Sequence, residues 1–234
     1  MPELLHSISL GRVKHMWQRT QDHVILLLSI LLQLALGLFF GHAYDMRIFM
    51  ATGYLVGTGV NPYIAQDLTS VFQNNSFRGM TSVGYPPPWP LVLGLIYRSS
   101  YSLTHSLMIY NLVIKLPTII ANICLAYLVA EILTNLGAEG KVVRRAWIFM
   151  LVCPFMLYFG VAWGQFDAIV VLLSLLSLVY LDSGSLPISA VMLALGMALK
   201  PIALPLFPIA LLYLLGKSTR LARSEEHTSE LQSR

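Results

Sequence analysis

Charge is what this chain has least of: Asp, Glu, Lys and Arg make up 11% of its 234 residues, against about 25% in an ordinary soluble domain. Hydrophobic residues reach 56% and the mean hydropathy is +0.70, which excludes a soluble globular class. There are only two cysteines, Cys124 and Cys153. Both fall inside apolar stretches, which disfavours a disulfide framework, and neither reports a redox compartment. No glycine-rich phosphate loop, no nucleotide-binding alternation of strand and helix, and no Cys/His cluster is present. A nucleotide sugar and a structural zinc are therefore disfavoured, and no metal or cofactor is expected. Repeats with a period of about 20–50 residues and low-complexity linkers are also missing.

What is present is a series of long apolar runs. Inside lipid the backbone must satisfy its own hydrogen bonds, so these read as helices; the short alternating segments of a membrane barrel are not seen. The expected class is all-α, a polytopic transmembrane helical bundle with a long first external loop and short interfacial helices. The net charge is +4 and the isoelectric point about 9.1, but the basic residues flank apolar runs, which points to membrane orientation and not to nucleic acid.

Placing the basic N-terminal segment (Arg12, Lys14, Arg19) in the cytoplasm sends a first span, Val24 to Phe40, outward, because it is too long for a signal-peptide core. Later spans are expected over Pro117 to Leu133, Ala146 to Val161, Asp167 to Leu181, Leu186 to Leu199 and Pro201 to Leu215. Lys141, Arg144, Arg145 and Lys217 then fall inside, while Asp45 and Trp163 to Asp167 share the non-cytoplasmic face. The pieces between Trp89 and Leu116 are each shorter than the roughly 20 residues of a span. They form either a tight hairpin or an interfacial helix leading into a longer span.

The polar segment from about Ala43 to Tyr85 concentrates turn residues, Gly57, Gly59, Asn61, Pro62, Asn74 and Asn75, and Asp45 to Leu55 has the spacing of a short helix. At the other end, residues 223–234 abruptly replace apolar sequence with a polar run that begins Arg223-Ser224-Glu225-Glu226-His227. This tail matches a translated sequencing-library adapter and is kept out of the fold. The natural frame is expected to continue beyond about Ala222, making residues 1–222 the N-terminal part of a transmembrane domain.

Several polar residues interrupt the apolar sequence. Asp45, just past the first span, reads equally as a solvated helix end or as a catalytic base. Asp167 reads first as a helix-start residue stabilising free amides, although Trp163-Gly164-Gln165 before it exceeds a minimal turn. Tyr85-Pro86-Pro87-Pro88-Trp89-Pro90 is either a helix start or a rigid aromatic edge for a ring-shaped ligand. Lys115 and Lys200 are cations in apolar surroundings, where snorkelling competes with binding a phosphate.

In order and spacing these segments, with Gly59-Val60-Asn61-Pro62-Tyr63, Lys115-Leu116-Pro117 and Lys200-Pro201, resemble the polyprenyl-phosphate-sugar-dependent glycosyltransferases of the C superfamily. The likeness is to mannosyltransferases of GPI-anchor and dolichol-linked oligosaccharide assembly. Asn122 and Cys153-Pro154 depart from the family pattern, where aspartate and Asn-Pro are frequent. The resemblance implies an inverting transfer, with mannose as the sugar, from a polyprenyl-phosphate donor to a hydroxyl on lipid, glycan or protein. Asp45 would be the base; Arg47, Lys115 and Lys200 would face phosphate, with Arg47 favoured, and Tyr85, Trp89, Trp163, Gln165 and Asp167 would line the substrate. A transporter or flippase, or a non-catalytic membrane subunit, is the alternative reading.

Overall fold

The computed structural model describes residues 20–80 and 83–216; the basic N-terminal segment, Lys217 and the 223–234 tail lie outside the described residues. Within them the chain is helical, with one isolated bridge between Gln66 and Met80 in place of any strand. The longer helices are α1 Thr20–Phe39, α2 Asp45–Gly57, α3 Pro88–Ser99, α4 Leu107–Asn135, α5 Gly140–Val152, α6 Asp167–Asp182 and α7 Leu186–Leu199, followed by α8 over 206–216. A π-helical segment, Met156–Trp163, links α5 to α6.

Three stretches are long and apolar enough to cross a membrane: Gln21–Phe39, Leu107–Asn135 and Gly140–Trp163. This is a helical membrane protein. The 20 residues of α1 extend about 30 Å, one hydrocarbon thickness. The 16 residues of α6 and 14 of α7 fall short of that length. They pack as a hairpin, and the Ser189 hydroxyl donates to the Ser177 carbonyl at 2.8 Å, satisfying itself between them.

Two expectations about span limits change. Pro117 does not begin a helix: α4 starts at Leu107, where Ser106 Oγ accepts the Ile109 amide at 3.4 Å, and runs through Pro117. Neighbouring helices relieve the local loss of an N–H donor, which makes proline tolerable inside a membrane helix. The 12 residues of α3 therefore precede one long span, Leu107–Asn135. The span expected over Ala146 to Val161 lies within the longer stretch Gly140–Trp163, whose coil changes at Cys153-Pro154, because Pro154 has no amide to continue the α ladder, from α to the wider π form.

α2 and α3 lie against each other through glycines. A Cβ on Gly53 would collide with the Tyr110 hydroxyl and stand 2.7 Å from the Leu93 carbonyl oxygen, and one on Gly94 would strike Val56. Small residues at this spacing let two backbones close up. The Tyr110 hydroxyl, buried on α4, donates to the Met50 carbonyl at 3.0 Å and fixes the α2–α3 pair to the bundle.

The loop after α2 is ordered by side chains that mimic backbone turns. Asn61 Oδ1 accepts the Tyr63 amide, Asp67 Oδ1 the Thr69 amide and Asn74 Oδ1 the Ser76 amide, each at 2.9 Å. The Thr69 hydrogen bonds hold the Asp67 carboxyl below the usual carboxylate range. Phe72 and Phe77 stack at 4.2 Å and are buried, so the loop carries its own piece of core. At the far end of the bundle, Arg144 Nε on α5 donates to buried Asp22 Oδ1 on α1 at 2.8 Å. Asp22 and Asp45 thus mark opposite ends of α1.

Candidate active site

α1 stops at Phe39 and α2 begins at Asp45, so the turn between them raises a carboxylate at one end of the bundle. The break after α5 returns the chain to that same end. Its π segment closes at Gly164, whose φ of +103° is a conformation glycine adopts without strain. The turn is sewn to the start of α2 by the His42 amide, which donates to the Trp163 carbonyl at 3.0 Å.

Two side chains of the turn converge on one oxygen. Trp163 Nε1 donates to Asp45 Oδ2 at 2.6 Å and Gln165 Nε2 donates to the same atom at 2.8 Å. His42 Nδ1 stands 3.2 Å from Oδ2 and 3.3 Å from the Asp45 amide nitrogen. Without a hydrogen, Nδ1 accepts from that amide, whereas with one, in a neutral or a charged ring, it donates to the carboxylate. No described residue donates to Oδ1. Among the described residues the carboxylate is thereby held through one oxygen, with no donor to the other.

His42 escapes sequence reasoning, since a lone histidine at the end of a span has no distinguishing spacing. In the structure its ring stacks on Trp163 with centroids 4.2 Å apart and planes 16° from parallel. Such a stack contributes about 0.5–1.5 kcal/mol beyond area burial. His42→Ala is expected to lower transfer about tenfold by loosening Trp163, and His42→Phe to restore most of it; initial rates of the two variants compared with wild type check this.

Behind Asp45 lies an aromatic wall. Phe166 stacks on Trp89 at 4.1 Å and meets Tyr85 edge-on at 5.0 Å, and Phe49 on α2 closes the group. Trp89 is 1% exposed, so it supports the wall from the core through Phe166. Tyr85 lies partly open in front of it. Burial, then the Asp45 and Asp167 charges, push the Tyr85 hydroxyl above its usual range and keep it a proton donor near neutral pH.

The cations divide. Lys200 Nζ pairs with Asp167 Oδ1 and lies 5.9 Å from the Tyr85 ring centre and 5.5 Å from that of Phe166. Asp167 is the first residue of α6 and the acidic group of its first turn, with Phe166 at the cap position; its side-chain partner is the lysine, 33 residues on. Lys115 is buried and donates to the carbonyls of Gly37 and Phe40. Asn111, one turn away, donates to the same two carbonyls, each at 2.8 Å. Together they cap the C-terminal end of α1, where unpaired carbonyls carry the negative end of the helix dipole. Arg47 donates to the Ala43 carbonyl and, at 3.1 Å, to the Ser76 carbonyl, which ties the external loop to α2. It makes no ion pair with Asp45 among the described residues. The structure thus brings together Asp45, Trp163 and Gln165, places Tyr85, Asp167 and Lys200 beside them, and sets Lys115, Trp89 and Arg47 in the supporting frame.

Among the described residues no group of three His, Cys, Asp or Glu side chains stands close enough to hold a metal ion. A carboxylate oriented through one oxygen, an aromatic wall and a nearby lysine suit proton removal from a hydroxyl beside an anionic leaving group. The model of glycosyltransferase family 87 matches residues 85–222, more than half of the chain. No curated protein and no solved structure matches it.

Proposed function

Because the chain belongs to glycosyltransferase family 87, we propose that its sugar donor is a polyprenyl phosphate and that Asp45 is the base of an inverting transfer. A glycosyltransferase needs a sugar donor and an acceptor. The acceptor hydroxyl gives its proton to Asp45 Oδ1 and its oxygen attacks the anomeric carbon, while the bond to the lipid phosphate breaks on the opposite face and the phosphate leaves with the electron pair. Lys200 stands nearest to receive the charge of that phosphate, sharing its ammonium with Asp167. Mannose is the sugar, and the reaction takes place on the non-cytoplasmic face of a multi-pass protein.

The observation that carries this reading is the pair of N–H donors from one turn on a single oxygen of Asp45. A solvated helix end needs no such arrangement. A lipid donor suits a site built where membrane helices end. The first test supplies membranes holding the protein with radiolabelled polyprenyl-phosphate mannose or with a nucleotide sugar. Label is expected to reach the acceptor fraction only from the lipid donor; transfer from the nucleotide sugar alone would contradict the proposal.

A further inference from the structure

The exposed side of α3 carries an apolar groove that ends at a cation. Two hollows of about 250 and 390 Å³ share Val56 and Leu91, so one runs on from the other along the helix. Val60 and Tyr63 of the external loop line the first, Leu95 and Arg98 the second. Leu91, Leu95 and Arg98 follow at intervals of four and three residues, which sets them on one helix face. Leu91 is 59% exposed and Leu95 68%, and Arg98 is exposed as well, so nothing among the described residues covers that face. The loop wall is fixed, because the Tyr63 hydroxyl donates to the Tyr85 carbonyl at 3.0 Å.

Arg98 is held in place without being neutralised. Its Nε donates to the Gly57 carbonyl at 2.8 Å, which fastens the guanidinium to the end of α2. Among the described residues no carboxylate pairs with it and no acceptor takes its two terminal NH2 groups. A snorkelling arginine extends its head into water. This one is bound to the neighbouring helix and keeps its terminal N–H donors for an oxyanion such as phosphate.

The level of Arg98 in a membrane follows from α4. The 29 residues of that helix extend about 43 Å, which matches a bilayer with its head groups, about 40–45 Å. The first turn of α4 therefore lies among head groups. Tyr110 in that turn meets Tyr97 with ring centres 6.1 Å apart, and Tyr97 directly precedes Arg98. The guanidinium thus stands where lipid phosphates are found, and the helix face from Arg98 back to Leu91 is about 10 Å long.

We propose that this groove binds an anionic phospholipid of the surrounding bilayer, its phosphate on the terminal amines of Arg98 and an acyl chain along Leu95, Leu91 and Val56. A zwitterionic lipid carries its own cation beside the phosphate and is attracted less by the guanidinium. The assignment does not depend on the donor or the acceptor of sugar transfer.

The test places the protein in nanodiscs of phosphatidylcholine or of phosphatidylglycerol, each with the same trace of phosphatidylglycerol carrying a diazirine in one acyl chain, and maps labelled peptides by mass spectrometry. Labels are expected at Val60, Leu91 or Leu95. Phosphatidylglycerol discs should give about tenfold less label than phosphatidylcholine discs, the discrimination of one charge-assisted hydrogen bond. In phosphatidylcholine discs Arg98→Gln should lower the label about tenfold, and Arg98→Lys, which keeps the charge, by less. Because Arg98 also fastens α2, Leu95→Glu gives a second arm: position 95 is exposed, so the fold has no cause to change, and the added carboxylate should remove the label by repelling the phosphate. Equal labelling in the two kinds of disc, or a label that survives both Arg98→Gln and Leu95→Glu, would overturn the assignment. So would inorganic phosphate competing as well as phosphatidylglycerol, which would leave the apolar groove without a part. Stronger displacement by polyprenyl phosphate, or a disulfide-linked dimer of Leu95→Cys protein in phosphatidylglycerol vesicles, would give the face to the sugar donor or to a second copy and would overturn it equally.

Discussion

Asp45→Asn is expected to reduce sugar transfer by about 10²–10⁴-fold, the usual contribution of a positioned general base, while expression and membrane insertion stay normal. Asparagine has nearly the same shape, and its carbonyl oxygen can take the place of Oδ2 beneath the Trp163 and Gln165 donors, so the local fold has no cause to collapse. Its amide then occupies the position of Oδ1 and donates where the carboxylate accepts a proton. Side-by-side rates in membranes with matched protein amounts provide the check. Unchanged transfer would remove Asp45 from the base role.

Gly164→Ala is expected to be nearly as damaging to transfer, and far more so to stability. At φ +103° an L-residue is strained by about 1–2 kcal/mol, and the new Cβ would collide with Met46 Sδ and lie 3.2 Å from Lys115 Cε. Met46 is 4% exposed and Lys115 1%, so neither has free space into which to retreat, and overpacking adds about 1–3 kcal/mol. The expected total is about 2–5 kcal/mol. The readout is the thermal midpoint of the purified protein together with its transfer rate. Because the turn carries both N–H donors to Asp45, a variant that folds at reduced stability should also lose about tenfold or more in rate. An unshifted midpoint would show that the turn relaxes without cost.

Much of the architecture is legible because apolar length and helical spacing carry it. α1 is an uninterrupted apolar run, α2 begins at Asp45 as its spacing predicts, and the asparagines of the external loop form the turns their side chains favour. The meeting of Asp45 with the 163–165 turn can be argued from sequence only by order and family likeness, since the two are 118 to 120 residues apart in the chain.

The roles of the cations are hidden for a physical reason. A lysine in apolar sequence looks the same whether it will meet a phosphate or the end of another helix, and Lys115 meets the carbonyls of Gly37 and Phe40, more than 70 residues before it. Asp167 stands in the first turn of α6, as a helix-start residue should, and also pairs with Lys200 because α7 returns the lysine to the start of α6. The end of α5 is not legible because hydropathy continues smoothly past Pro154 while the hydrogen-bond ladder does not.

If Asp45 and Gln165 work as one unit, a double-mutant cycle on the transfer rate measures that most directly. Gln165→Leu alone should slow the wild-type protein about tenfold or more, by freeing the carboxylate to turn, and should cause no further loss once Asp45→Asn is in place. An equal loss in both backgrounds would mean that the two side chains act independently, and would contradict a base held in place by its turn.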